Sequence, residues 1–360
     1  MNISNGNRRR PAEPMKPVVD PAGWTGAELE ASDEWVFRLS PGDIAEIDAA
    51  ADGVAARGLD VKDINRDEFA LPGLDSKLAQ IKTELMDGRG IAVLRGLPVD
   101  RYNIARAAAA FWGMGLRIGE PVSQNYKGHL LGHVLDLMGD SRDKDPTTRA
   151  YNTSSELDYH TDSCDVVVLL CLQKAKSGGL SSVASAVAVY NEMLKRRPDL
   201  VEELIKPWYR DRRGEIPPGK KPWFELPIFN FPDGHLTTSW ASYYIRSAQR
   251  FDELPRFTER QIEALDGFSA MAAELSYKMA FEPGDIQFLH NHVAVHARTY
   301  YQDHPEADRK RHLLRLWLTT PAGRPLPDGL RDRYAGLKPG QRPHGIVVEG
   351  MELSAPLVPE

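Results

Sequence analysis

The spacing of hydrophobic residues changes about one third of the way along the chain. In the first part, apolar residues recur at helical intervals after Ser40 to about residue 57, over 75–86 and through the alanine-rich segment 104–113. Asp75 or Ser76 is the expected N-cap of the second of these helices. A short apolar run between glycines, residues 90–98, predicts one strand among them. The N-terminal third is therefore predicted to be mainly helical.

Beyond residue 156, short apolar runs bounded by turn-forming residues predict a series of strands. These runs lie at residues 166–172, 183–185, 279–282, 284–289, 292–299 and 312–319. Helical spacing returns at 187–197 and 258–275. Many short strands beside a helical third indicate an α+β protein with a mainly β core, a double-stranded β-helix (jelly roll) with flanking helices. The hydrophobic pattern alone does not separate this fold from other α+β folds.

The pattern indicates one domain with additions rather than two linked domains. Residues 1–22 are polar and proline-rich and are expected to form an extended N-terminal arm. Residues 23–320 then form the single domain, and 321–360 a C-terminal extension packed on it. Turn formers dominate 119–156, which predicts a loop with one or two short strands. Residues 207–241 mix aromatic residues with Pro217-Pro218-Gly219, as expected of a lid-like insertion that covers a site.

Composition and charge exclude several classes of function. Of the 360 residues, 42% are hydrophobic, and the formal charge of −6 argues against nucleic-acid binding. No apolar run reaches 18 residues, and no apolar segment follows the basic N-terminus, so neither a membrane span nor a secretory signal is expected. Cys164 and Cys171 are seven residues apart, on opposite faces of one predicted strand, so they are not expected to pair. These features predict a reduced cytoplasmic protein, and a homo-oligomer is compatible with them.

The chemistry is concentrated around His160 and Asp162, just ahead of the strand predicted at 166–172. If the strand includes them, residues two apart share a face, so the imidazole and the carboxylate point the same way. Such a pair supplies two of the three ligands of a facial Fe(II) site. The third would be a histidine from a distant strand.

Three histidines are candidates for the missing ligand: His290, His292 and His296. They have the same parity in what the pattern predicts to be one strand, so any of them could face the pair. The residues alone leave this choice open.

Five segments, taken together, resemble the taurine dioxygenase/TfdA-like family of Fe(II)- and 2-oxoglutarate-dependent oxygenases. They are Tyr159-His160-Thr161-Asp162, Gly178-Gly179-Leu180-Ser181, Gly284-Asp285-Ile286, His296-Ala297-Arg298 and Arg311-His312-Leu313-Leu314-Arg315. They follow in the family's order between about residues 90 and 320. The resemblance implies a dioxygenase that uses Fe(II), 2-oxoglutarate and O2, hydroxylates a small organic substrate, and releases succinate and CO2.

The resemblance also assigns residues. It implies that His160, Asp162 and His296 bind the metal, because His296 opens the family's His-x-Arg segment. It places Arg311 and Ser181 on the distal carboxylate of 2-oxoglutarate. Arg315 matches a second family arginine, near the C1 carboxylate or an anionic substrate.

Substrate contacts are expected from Gln124, Asn125 and Ser163, with Arg315. Gln124 stands where the taurine enzyme has a substrate-contacting histidine, so taurine itself is not the expected substrate. Two other functions remain as alternatives: a catalytically silent jelly-roll binding protein, or a cupin-type metalloenzyme that does not use 2-oxoglutarate. The first would lack a metal ligand or the oxoglutarate arginine, and the second would lack the Arg311/Ser181 pair.

Overall fold

The computed structural model describes residues 9–137, 153–217, 219–334, 337–338 and 340–359. All five predicted helices are present, although the third runs on from residue 113 to Ile118, and the short helices α1, α6, α7 and α9 were not predicted. The α-helices are α1 (Gly26–Glu30), α2 (Pro41–Ala56), α3 (Asp75–Met86), α4 (Ile104–Ile118), α5 (Ala186–Arg196), α6 (Pro198–Leu204), α7 (Ser242–Ser247), α8 (Glu259–Leu275) and α9 (Gly329–Arg333).

Helix capping follows the sequence in α2 but not in α3. Ser40 caps α2, where its side chain accepts a hydrogen bond from the backbone N–H of Asp43. The expected cap of α3 by Asp75 or Ser76 is wrong, because the N-cap position is Leu74, whose side chain makes no capping hydrogen bond. The Asp75 carboxylate instead pairs with Arg117 at 3.0 Å. The Glu46 carboxylate accepts from the N–H of Leu74 at 2.9 Å, so a tertiary contact takes the place of a local cap.

The predicted strands are also found, with additional short ones between them. In chain order they are β1 (Val36–Arg38), β2 (Ile91–Arg95), β3 (Glu120–Pro121), β4 (Leu131–Val134), β5 (Leu157–His160), β6 (Val166–Gln173), β7 (Ser177–Gly178), β8 (Ser181–Ser185), β9 (Pro207–Asp211), β10 (Trp223–Pro227), β11 (Phe229–Asn230), β12 (Thr237–Thr238), β13 (Tyr277–Met279), β14 (Ile286–His290), β15 (Ala294–Arg298), β16 (Tyr301–Gln302) and β17 (His312–Thr319).

Two sheets contain most of these strands in the described part of the chain. The larger sheet has the order β1-β2-β14-β6-β17-β3, and β4 also pairs with β17; the smaller has the order β13-β8-β15-β5. The contacts of β6 with β14 and β17 are antiparallel, as are those of β15 with β5 and β8. The order differs from the chain sequence, so neighbouring strands are distant in sequence.

Alternation along the strands divides the core into layers. Even-numbered residues of β6 and β17, such as Val168 and Leu316, pack with α2, α3 and α4 on the outer face of the larger sheet. On the inner face, one apolar cluster contains side chains from both sheets, so the sheets pack face to face. Its strand residues are Ile91, Val93, Val134, Cys171, Val183, Met279, Leu289, Ala294 and Leu313. A third cluster packs α5, α6 and α8 against the smaller sheet and against apolar residues between 208 and 240.

Two expectations about strands are wrong in detail. His160 ends β5, and Asp162 lies in the connection to β6, so the pair does not share one strand. His290 ends β14 in the larger sheet, His292 lies in the following turn, and His296 lies in β15 of the smaller sheet. The three histidines therefore occupy three different environments.

The remaining segments are short hairpins and loops. Within 119–156, β3 and β4 are present, and residues 138–152 fall outside the described ranges. Residues 207–241 contain the hairpins β9–β10 and β11–β12. Cys164 lies ahead of β6 rather than within it, and both cysteines are buried and free. Among the described residues, no helix combines the length and apolarity that crossing a membrane requires.

Candidate metal centre

His160, Asp162 and His296 converge at one end of the space between the two sheets. One ligand atom from each lies within 4.8 Å of the others. The Nε2 atoms of His160 and His296 are each 3.7 Å from a different oxygen of Asp162. Two imidazole nitrogens and one carboxylate form the donor set of a facial Fe(II) site, so these residues fit such an ion.

Strand pairing places the two histidines opposite each other. His160 and His296 are Cα partners in β5 and β15, and their ring centroids are 4.1 Å apart. The His160 Nδ1 lies 2.8 Å from the backbone carbonyl oxygen of Asp158. Because a carbonyl can only accept, Nδ1 carries the proton and Nε2 presents its lone pair to the centre.

Asn291 fixes the position of the Asp162 carboxylate through three hydrogen bonds to the nearby backbone. The Asp162 N–H donates to the Asn291 Oδ1 at 2.7 Å. The Asn291 Nδ2 donates to the carbonyl oxygens of Asp162 at 2.7 Å and Cys164 at 2.8 Å. The connection between β5 and β6 is thus fixed by a residue 129 positions away.

The surroundings keep Asp162 ionised and His296 neutral. Burial raises the pKa of Asp162, but Arg315, the two histidines and Trp317 together outweigh burial and hold that pKa below 3.8. Burial, with repulsion from His160, lowers the pKa of His296 to about 3. Both groups are therefore in the protonation state that metal binding needs at neutral pH.

Arg315 and Trp317 project from β17 towards the same carboxylate. The Trp317 Nε1 donates to the Asp162 Oδ2 at 2.8 Å, and the Arg315 Nη1 lies 3.9 Å from that oxygen. Gln124 orients Arg315 by accepting from its Nε at 2.6 Å. The Gln124 Nε2 donates to the backbone oxygens of Leu130 at 3.0 Å and Arg315 at 2.9 Å. These bonds use both hydrogens of the Gln124 amide and one lone pair of its oxygen, so the geometry gives Gln124 a supporting position beside Arg315.

The predicted oxoglutarate residues lie deeper between the sheets. Arg311 is 4% exposed, and its Nη1 has no hydrogen-bond partner among the described residues. Gly179, at φ +67°, lies against it, since a Cβ there would be 3.0 Å from the Arg311 Nε. The Ser181 hydroxyl donates to the Gln287 Oε1 at 3.0 Å. Gln287 was not predicted, although an amide inside an apolar strand is a signal of function.

Of the predicted substrate residues, Ser163 lies beside the centre and Asn125 in a turn. The Ser163 hydroxyl accepts a hydrogen bond from Arg333, the last residue of α9. The Asn125 side chain stabilises its own turn by accepting from the N–H groups of Lys127 and His129. Arg333 and Trp317 were also missed. Trp317 could have been found from its parity with Arg315, whereas nothing in the sequence points to Arg333.

The other two candidate histidines do not reach the centre. His292 Nε2 lies 3.0 Å from the Asp165 Oδ1, inside a buried network that also includes Arg342. His290 is fully buried at the end of β14, and its Nδ1 accepts from the N–H of His292 at 3.3 Å. The geometry therefore favours His296 as the third donor.

The comparisons with known proteins agree with this arrangement. Residues 56–317 match the model of the family described as "Taurine catabolism dioxygenase TauD, TfdA family". FR-33289 synthase of Streptomyces rubellomurinus is 35% identical over 335 residues, 91% of this chain and 98% of that protein. Taurine hydroxylase-like protein SAT17 of Stachybotrys chartarum is 33% identical over 308 residues, 82% of this chain and 78% of that protein.

Among solved structures, asparagine oxygenase in complex with Fe(II), 2S,3S-3-hydroxyasparagine and succinate is similar in fold. Its TM-score is 0.62 at 20% identity, over 79% of this chain and 93% of that one. The family match covers most of the chain, and the first of the two relatives is similar along almost its whole length. The chain therefore belongs to the TauD/TfdA family of non-haem Fe(II)- and 2-oxoglutarate-dependent dioxygenases.

Proposed function

We propose that the protein hydroxylates an unactivated C–H bond of a small organic anion, with Fe(II) held by His160, Asp162 and His296. The observation that carries this proposal is the convergence of three donor atoms within 4.8 Å, two from neighbouring strands of the smaller sheet and one from the connection between β5 and β6. Fe(II) held by these three side chains would keep further coordination positions for 2-oxoglutarate and O2. When bound, these groups supply the oxidation, with release of succinate and CO2.

The protein's own residues bind, orient and exclude water. The Asp158 carbonyl fixes the tautomer of His160, and Asn291 fixes the backbone of Asp162. Trp317 and Arg315 keep the carboxylate charged and oriented. Arg311 binds the distal carboxylate of 2-oxoglutarate, because a buried guanidinium with a free N–H needs an anion to satisfy it.

Arg333 supports an anionic substrate. It is half-buried and contacts Ser163, the residue after Asp162. Within the described ranges, no carboxylate lies at ion-pair distance from its guanidinium. A cation held beside the metal site without an acidic partner suits a carboxylate, sulfonate or phosphonate of the substrate. The name of one relative points the same way, since taurine is a sulfonate.

We also propose the topology of the fold, the limits of the domain and the cellular location. The two sheets packed face to face support a double-stranded β-helix (jelly roll) for residues 23–320, with an N-terminal arm (1–22) and a C-terminal extension (321–360). The two buried free thiols suit a cytoplasmic protein. A homo-oligomer is compatible with the proposal, and no role requires nucleic acid.

An anaerobic titration tests the function directly. Fe(II) and 2-oxoglutarate added to the wild-type protein should give the weak visible charge-transfer band of the chelate. Asp162→Ala should lose most of it, because removing one of three ligands weakens metal binding. The matched control is Asp158→Ala, an exposed carboxylate four residues before Asp162 whose backbone carbonyl, not its side chain, contacts His160.

The proposal is wrong if the wild type gives no band, as expected of a silent binding protein or a cupin that does not use 2-oxoglutarate. It is also wrong if Asp162→Ala keeps the full band. A screen of small carboxylates, sulfonates and phosphonates, scored by succinate formation above the uncoupled background, then identifies the substrate.

A further inference from the structure

Gln287 places a buried amide between the two sheets. Its Cα partners are Val93 in β2 and Leu169 in β6, and Leu169 is in turn the partner of Arg315 in β17. Partners across a sheet share a face, so Gln287 projects to the same side as Arg315. Gln287 is 1% exposed, while its neighbours Ile286 and Phe288 pack in the outer apolar cluster. The amide is thus directed into the interior that contains the site.

The hydrogen bond between Ser181 and Gln287 determines which of them can donate to a ligand. Ser181, on the opposing sheet, donates to the Gln287 Oε1 at 3.0 Å. A serine hydroxyl has one hydrogen, so Ser181 has none left for another acceptor. The Gln287 Nε2 carries two hydrogens and has no partner among the described residues. Burying such a donor unpaired is unfavourable, so its position indicates an acceptor that arrives with a ligand.

Arg311 presents a second unpartnered donor to the same part of the interior. Gly179 lies against the Arg311 side chain and is two residues before Ser181, which is hydrogen-bonded to Gln287. The Arg311 Nη1 and the Gln287 Nε2 are both buried without a partner. A carboxylate offers two oxygens and about four lone pairs, enough for both donors.

We infer that the Gln287 amide donates to the distal carboxylate of 2-oxoglutarate beside Arg311, and that Ser181 is a positioning residue that orients the amide. The inference rests on the proposed function. It reverses the sequence-based expectation, in which the Ser181 hydroxyl contacts the carboxylate itself. In the reverse orientation of the amide, the Gln287 Oε1 would face the carboxylate of 2-oxoglutarate, and these two oxygens would repel each other.

The test compares two keto acids that share the iron-chelating end. 2-Oxoglutarate has the distal carboxylate, and 2-oxobutyrate lacks it. Dissociation constants come from the charge-transfer band of the anaerobic Fe(II) protein, so no turnover is required. Gln287→Met, which keeps the side-chain length without the amide, should weaken 2-oxoglutarate binding roughly 10- to 100-fold and change 2-oxobutyrate binding less than about 2-fold. Gln302→Met, at an exposed position of β16, is the matched control and should resemble the wild type.

The Ser181 variants separate positioning from direct contact. Ser181→Ala should weaken 2-oxoglutarate binding less than Gln287→Met does, because the amide remains but is no longer held. Ser181→Thr keeps the hydroxyl and should restore the wild-type constant. Circular dichroism checks that each variant is folded, and Gln287→Glu gives a second perturbation at the same length. Its carboxylate would pair with Arg311 and should weaken 2-oxoglutarate binding more strongly than methionine does.

Three results would overturn the inference. Gln287→Met could bind 2-oxoglutarate as the wild type does, could lose both keto acids equally, or could lose less than Ser181→Ala. Absence of a band in the wild type itself would instead contradict the proposed function.

Discussion

A single carboxylate must stay ionised inside the protein for the metal centre to form, and two residues of β17 secure this. Burial raises the pKa of the Asp162 carboxyl group. Attraction to Arg315 and the two histidines, with the hydrogen bond from Trp317, outweighs burial and holds that pKa below its usual value. Trp317 is the only one of these that donates a hydrogen bond directly to the carboxylate in the described structure. Hydrogen bonds of this kind orient ligands and tune metal affinity.

Trp317→Phe should therefore weaken Fe(II) binding about 10-fold, because the carboxylate loses the donor that orients it while the aromatic packing is kept. Metal titration of the purified protein measures the change. Trp223→Phe removes an indole N–H that contacts Glu253 at 3.2 Å, far from the centre, and should leave metal affinity unchanged. Equal affinities in both variants would show that Trp317 only packs.

Arg311 should dominate 2-oxoglutarate binding. Arg311→Ala should raise the dissociation constant for 2-oxoglutarate about 100-fold or more, since it removes a buried charge-assisted contact. Lys310→Ala removes the neighbouring cation and should have little effect, because that side chain is partly exposed. The charge-transfer titration compares the two variants. Similar small effects would mean that Arg311 does not face the keto acid.

At the scale of elements, the helices and strands could be predicted from the sequence far better than their junctions. The period of apolar residues identified α3 and β17 to the residue. It also joined His290 and His296 in one strand, because parity carries no information about a turn between them. That turn depends on Asn291 and His292, whose partners lie 127 to 129 residues away. Contacts between residues so far apart in sequence cannot be predicted from the local spacing of apolar residues.

The short helix α9 shows what the sequence could not supply at this scale. It lies beyond the segment matched by the family model, yet it brings Arg333 to Ser163. Under the proposed function, substrate recognition at this position depends on a segment outside the family match rather than on the metal motif. The proposed metal ligands could be chosen from the sequence because each stands in a recognisable segment. The position of Arg333 beside Ser163 is seen only in the folded structure.

Arg333→Met should raise the KM of an anionic substrate identified by the screen about 10- to 100-fold, with a smaller effect on kcat, because a charge-assisted contact is lost. Arg331→Met is the control on the same helix, since Arg331 pairs with Asp328 at 2.8 Å on the exposed side. Steady-state succinate formation gives both constants. A KM unchanged by Arg333→Met would show that the anion binds elsewhere.

At the scale of the whole molecule, the ends of the chain are joined to the site through buried charges. Asp165 accepts from His292 and Arg342. Arg324, which follows β17, donates to Asp20, which precedes α1, at 2.9 Å. Burial raises the pKa of Asp165, but His292 and Arg342 outweigh it and hold that pKa well below 3.8. The network is therefore charged at neutral pH, and His290 is buried next to it.

This arrangement makes stability depend on pH through His290. Burial lowers the pKa of His290 well below 6.5, and repulsion from Arg324 and His292 lowers it further. The folded state keeps this imidazole neutral, while the unfolded chain protonates it below about pH 6.5. The unfolded state then binds more protons, so the free energy of unfolding should fall as the pH decreases from 6.5 towards the folded pKa. One such histidine contributes a slope of at most about 1.4 kcal/mol per pH unit.

His290→Asn should make that pH dependence shallower by up to about 1.4 kcal/mol per pH unit between pH 6 and 5, because asparagine does not titrate. Its Oδ1 can still accept the hydrogen bond that the His292 N–H gives to His290. Urea unfolding of the metal-free protein at pH 7, 6 and 5 measures the slope. A packing defect alone would lower stability equally at all three pH values and leave the slopes parallel. Equal pH dependence of the free energy of unfolding in the wild type and the variant would therefore contradict the assignment of His290 as a buried neutral group. A smaller pH dependence in the variant would identify His290 as one source of the protein's acid sensitivity.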